Sequence, residues 1–134
     1  MLASIRLNMR NLGLRGGAVA ALLSLSAGPL LAADLDGNWA RGDGNAKVEI
    51  APCGAQICAT NTWIKPGSGS EKAGDKLVMR IDRTADGSYS GTAFDPQRNM
   101  TFKITVVVAE KKMTTKGCVA GGILCRAVNW SRID

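Results

Sequence analysis

Residues 100–109 read Met100-Thr101-Phe102-Lys103-Ile104-Thr105-Val106-Val107-Val108-Ala109. Met100, Phe102, Ile104, Val106 and Val108 occupy every second position, with Thr101, Lys103 and Thr105 between them. A helix would scatter these five apolar side chains around its axis, whereas a strand puts all five on one face. The segment is therefore expected to be a half-buried β-strand.

The same rhythm extends outward in both directions. Val48 and Ile50 alternate with Lys47 and Glu49, and Leu77, Met79 and Ile81 alternate with Lys76 and Arg80, so each apolar set belongs on a buried face. Further β-rich runs lie at residues 37–41, 57–64, 88–94, 112–118 and 124–133. The punctuation between runs is turn chemistry: Gly42-Asp43-Gly44-Asn45, Ala85-Asp86-Gly87, Asp95-Pro96-Gln97-Arg98-Asn99 and residues 109–111. About eight short strands in successive hairpins predict an all-β domain, a small antiparallel up-and-down β-barrel whose closure removes exposed edges. A small sandwich is the alternative. Residues 65–75 are rich in Gly, Ser and Lys without an apolar pattern, and are expected to form a mobile surface loop flanking an opening.

Residues 1–33 have a different character. Arg6, Arg10 and Arg15 precede an uncharged run, GGAVAALLSLSAGPLLAA, that ends in Leu31-Ala32-Ala33. A basic start, an apolar centre and small residues at the end describe a cleavable secretory signal peptide, with the cut expected after Ala33. No cysteine follows the cut to carry a lipid. The working protein is then one soluble domain, residues 34–134, in the periplasm or secreted. Removing the leader leaves fourteen basic and eleven acidic residues, so the formal net charge of +6 falls to +3. The remaining charges are interspersed, without a basic stripe or interleaved aromatics, which argues against a nucleic-acid partner.

Cys53, Cys58, Cys118 and Cys125 all lie in the exported part. An even count in an oxidising compartment predicts two disulfides. The local pairs Cys53–Cys58 and Cys118–Cys125 would each contribute about 2 kcal/mol by chain entropy, against about 4 kcal/mol for a bridge across the domain. Proximity favours the local pairing, although crosswise pairing would stabilise more.

Chemistry-bearing residues are sparse. The chain has no histidine, which removes the Ser-His-Asp and Cys-His nucleophile systems and the usual His-based metal sites. Glu49, Glu71 and Glu110 and the aspartates show no spacing that pairs two carboxylates on one face. Asp95 precedes Pro96 in a turn, where its side chain is expected to accept hydrogen bonds from following amides. No catalytic residue, cofactor or metal is expected. Trp39 in the first strand and Trp130 in the last become neighbours if those strands close a barrel, and Arg132 can cover an indole, a cation–π contact worth about 0.5–2 kcal/mol. Those three are expected to be structural. Trp63, beside the 65–75 loop, and Tyr89 and Phe94, expected at the mouth, are the candidates for contact with a ligand or partner.

Gly37-x-Trp39, Val48-x-Ile50-x-Pro52-Cys53-Gly54-x-x-x-Cys58, Trp63, Gly91-x-x-Phe94-Asp95-Pro96, Gly117 and Trp130-Ser131-Arg132 together resemble the DUF2147 family of small exported bacterial proteins. The resemblance implies a lipocalin-like (calycin-type) barrel in which Arg132 covers Trp39 at the closed end. It also implies an exported location, and it implies no binding residues. The sequence departs from the family pattern at Ala59 and in the short segment 65–76, and Cys118 and Cys125 look like an additional bridge. The expected function is a non-enzymatic binding or envelope-associated module for a small apolar molecule or an envelope protein. The alternative is an inhibitor of a secreted or periplasmic hydrolase that inserts a disulfide-rigidified loop at residues 52–58.

Overall fold

In the computed structural model, which describes residues 35–134, the period-two segments become eight antiparallel strands. They are β1 (Gly37–Arg41), β2 (Ala46–Cys53), β3 (Gln56–Ile64), β4 (Lys76–Ala85), β5 (Ser88–Asp95), β6 (Met100–Ala109), β7 (Lys112–Val119) and β8 (Leu124–Arg132). Each strand pairs with its neighbour in sequence, and β8 returns to β1 through Trp39↔Arg132, Ala40↔Ser131 and Arg41↔Trp130. The result is a closed up-and-down barrel, as the hairpin count predicts. Residues 1–33, read as a signal peptide, lie outside the described residues.

One end of the barrel is sealed. Trp39, Tyr89 and Leu35 are fully buried there. The Trp39 indole Nε1 donates to the Leu35 carbonyl at 2.9 Å, which folds the incoming chain under the barrel. The Arg132 guanidinium covers the outer face of the Trp39 ring at 4.3 Å and donates to the Asp36 carbonyl at 2.7 Å. Gly37 makes this close approach possible: its φ is +130°, and a Cβ there would stand 2.5 Å from Arg132 Nη1. The Gly37-x-Trp39 and Trp130-x-Arg132 elements are thus two sides of one joint. Above it pack Val48, Ile50, Ile57, Met79, Ile81, Ile104, Val106 and Met113. Gly91 is required for a different reason, since a Cβ at that position would collide with the Arg80 carbonyl oxygen of the neighbouring strand.

Burial fades toward the other end. Along β6 the inward residues pass from buried Val106 and Ile104 to half-buried Phe102 and then to Met100 at 42 % exposure. Two local features shape this end. Gly117 has no side chain, and the Phe102 ring fills the space beside it. In addition, β1 stops at Arg41, with Gly42 N donating the last bond to the Asn129 carbonyl at 2.7 Å. Beyond that point β8 has β7 on one side and no strand on the other.

Both disulfides are local. Cys53–Cys58 spans the two-residue turn between β2 and β3 at the sealed end, and Cys118–Cys125 joins directly opposed residues of β7 and β8 at the open end. Two closed disulfides are compatible with an exported protein. Among the described residues, no helix is long and apolar enough to cross a membrane.

The loop of residues 65–75, expected to be a mobile surface loop, lies at the surface and is tied down by main-chain bonds. Lys65 N donates to the Asn45 carbonyl at 2.8 Å, Gly74 N to the Asn61 carbonyl at 2.7 Å, and Asn61 N to the Asp75 carbonyl at 2.9 Å. Glu71 adds an ion pair to Arg41 at 3.0 Å. A loop without an apolar pattern is held here by main-chain bonds and one ion pair.

Candidate functional site

The open end contains a cavity of about 650 Å³ whose lining includes Leu77, Met100, Phe102, Ile104, Thr115 and Trp130, a volume in the range of small-molecule sites. Trp130 forms part of its floor. The indole Nε1 donates to Thr115 Oγ1 at 3.0 Å, which fixes the ring between β8 and β7. Beneath the floor lies a second, apolar space of about 60 Å³, also bordered by Leu77, Ile104, Thr115 and Trp130. Below its charged rim the barrel interior is therefore apolar.

Charged residues ring the rim, and the carboxylates of Asp43, Glu71 and Asp95 are engaged with Arg41 and Arg98. Arg41 donates through Nε to both Asp43 oxygens at 3.1 Å and through Nη1 to Glu71 at 3.0 and 3.3 Å. Asn61 Nδ2 also reaches Glu71, at 3.5 Å. On the facing side, Asp95 Oδ1 accepts from Gln97 N, Gln97 Nε2 and Arg98 N, and Oδ2 accepts from Arg98 Nη1 at 2.7 Å. Burial pushes the Asp95 carboxyl up, but the bonds from Arg98 and Gln97 outweigh it and hold the group below its ordinary range. Gln97 in turn exchanges bonds with the Lys76 main chain at 2.8 and 2.9 Å. Asp95 is thus the turn-capping residue expected from its place before Pro96.

Among the described charged residues that line the mouth cavity, Arg126 is the exception. It is paired with Gly117 in the register, on the same side of β8 as Trp130, and it borders both the mouth cavity and a flank cavity with Arg41, Gly42 and Asn129. Its guanidinium has no hydrogen-bond or ion-pair partner among the described residues.

None of the three candidates for contact with a ligand or partner, Trp63, Tyr89 and Phe94, lines the mouth cavity. Tyr89 is 1 % exposed at the sealed end, where its hydroxyl accepts from Arg83 Nη2 at 3.2 Å. Phe94 is on the outer wall, because Tyr89, Gly91, Ala93 and Asp95 take the inward positions of β5. Trp63 is at the open end, yet a β-bulge lies between its pairing with Lys47 and the pairing of Asn61 with Val48. The extra residue reverses the alternation, so Trp63 faces outward at 40 % exposure with Lys47 Nζ 5.4 Å from its ring. Of the three structural candidates, Trp39 and Arg132 form the sealing joint. Trp130 is half-buried one layer above them and borders the cavities instead. Residues 52–58 form two strand ends and a two-residue turn rather than a protruding loop.

Alternation does carry a signal for the residues that line the cavity. Arg126 is an even number of residues from Trp130 and so lies on the inward face, a charge where an apolar side chain would be expected.

A redesigned β-barrel of known structure is similar to this chain, with a TM-score of 0.51 and 12 % identity, over 81 % of this chain and 99 % of that one. At that identity the likeness concerns the fold alone. No curated protein matches the chain. The family model described as an uncharacterized protein conserved in bacteria (DUF2147) matches residues 37–132, from the first residue of β1 to the last of β8. The chain therefore belongs to the DUF2147 family.

Proposed function

We propose that this protein is an exported, non-enzymatic binding module whose open-end cavity holds a small, largely apolar molecule. The observation that carries this reading is the contrast between the two ends of one barrel. The sealed end is packed, while inward-facing Phe102, Met100 and Leu77 at the other end leave apolar surface around about 650 Å³ of space. Apolar surface held open in this way costs stability that a packed core would recover, and a ligand that covers it recovers the same term. Both disulfides agree with export to an oxidising compartment.

Native mass spectrometry of protein purified without denaturant from its own envelope fraction tests the reading. The expected spectrum has a chain beginning at Asp34 that carries one noncovalent small-molecule adduct, which an added apolar dye displaces. A chain without an adduct that also fails to bind the dye saturably would refute it.

A further inference from the structure

We infer that the occupant of the cavity is a single-chain amphiphile with an anionic oxygen head group, and that Arg126 receives that head. This inference rests on the cavity reading above and adds the ligand's polarity and orientation.

The carboxylates of Asp43, Glu71 and Asp95 already accept from Arg41, Asn45, Asn61, Gln97 and Arg98. Arg126 offers up to five N–H donors with no acceptor among the described residues. The mouth is therefore short of acceptors and rich in donors. A ligand bearing a carboxylate, sulfate or phosphate supplies what is missing, and a planar guanidinium matches such oxygens in a two-bond fork.

Position supports the same orientation. Arg126, Val128 and Trp130 are successive inward residues of β8, so four residues separate the cation from the indole floor. At a rise near 3.3 Å per residue this is about 13 Å. An extended alkyl chain of medium length spans that depth, its tail on Trp130, Ile104, Leu77 and Phe102 and its head at Arg126. Because β1 ends before it reaches this level of β8, no strand covers Arg126 on that side, and the head remains in contact with water.

Laurate, dodecanol and dodecylamine have the same tail with an anionic, a neutral and a cationic head. Titrating each into the delipidated protein by calorimetry should give laurate at least about tenfold tighter binding than either of the others, the factor expected of a charge-assisted bond. Arg126→Gln should bring laurate to within about twofold of dodecanol. The unfolding midpoint should be unchanged, because the side chain is exposed and unpaired. Equal affinities for all three probes, or a preference for laurate that survives Arg126→Gln, would overturn the assignment while leaving the cavity reading intact. Failure of all three to bind would overturn both.

Discussion

Replacing Arg132 by Ala removes at least three interactions at the sealed end. The cation–π contact with Trp39, at 4.3 Å and partly shielded, contributes about 0.5–2 kcal/mol. The charged bond from Nη1 to the Asp36 carbonyl, at 2.7 Å, contributes about 1.5–3 kcal/mol. The pair with Asp134, at 3.7 Å and exposed to solvent, is screened and adds little. These share one side chain and do not add fully, so the expected loss is about 3 kcal/mol, which in a domain of this size lowers Tm by on the order of 10–20 °C. Arg132→Lys should recover less than half, because an ammonium cannot lie flat on the indole and reach the Asp36 carbonyl at once. The loss should also shrink in acid. Burial raises the Asp36 carboxyl while Arg132 lowers it, and hydrogen bonds from Asn38 together with Arg132 lower that of Asp134. Once both carboxyls are protonated, the Coulombic part of the arginine's contribution is gone. Urea unfolding at pH 7 and again below pH 4, followed by near-ultraviolet circular dichroism of the tryptophans, measures both effects. A loss below about 1 kcal/mol at pH 7 would refute the assignment of Arg132 as the cover of the closed end.

Asp95→Asn removes a carboxylate whose pKa is held down in the folded state. Its stabilisation, about 1–3 kcal/mol, is present above the unfolded-state pKa and lost as pH falls through the folded one, so wild type and variant should differ at pH 7 and converge in acid titrations of stability. Gly91→Ala should lower the urea midpoint by the equivalent of about 2 kcal/mol or more, since the added methyl meets the Arg80 carbonyl rather than a movable side chain; an unchanged midpoint would mean that the sheet relaxes there at no cost.

Strand count, pairing and closure were legible because period-two alternation is local. Residues 100–109 reveal their buried face without reference to any other part of the chain, and β6 has the expected bounds. The site was harder to read because its determinants are nonlocal or one residue out of phase. A single bulge in β3 turns Trp63 outward, and no composition rule marks where a bulge falls. Glu71 steadies its loop through Arg41, thirty residues away, so the loop looked unsupported in sequence. Phe94 could have been excluded by extending the alternation of β5 from Ala93, and Arg126 could have been noticed by extending that of β8 from Trp130. The early end of β1, which uncovers Arg126, depends on where Gly42 meets Asn129.

The two ends of the described chain clasp each other below the sealed end. Asn38 N donates to an Asp134 carboxylate oxygen at 3.0 Å, and Ile133 N donates to the Asn38 carbonyl at 2.9 Å. With every strand paired to its sequence neighbours and β8 paired to β1, the strand order is cyclic. A short linker from residue 134 to residue 35, with the chain cut instead at the turn of residues 86–87, would leave every strand beside its present neighbours. A tag or immobilising surface attached at residue 35 or at residue 134 is likewise held on the side away from the mouth, so the barrel can be tethered without obstructing its opening.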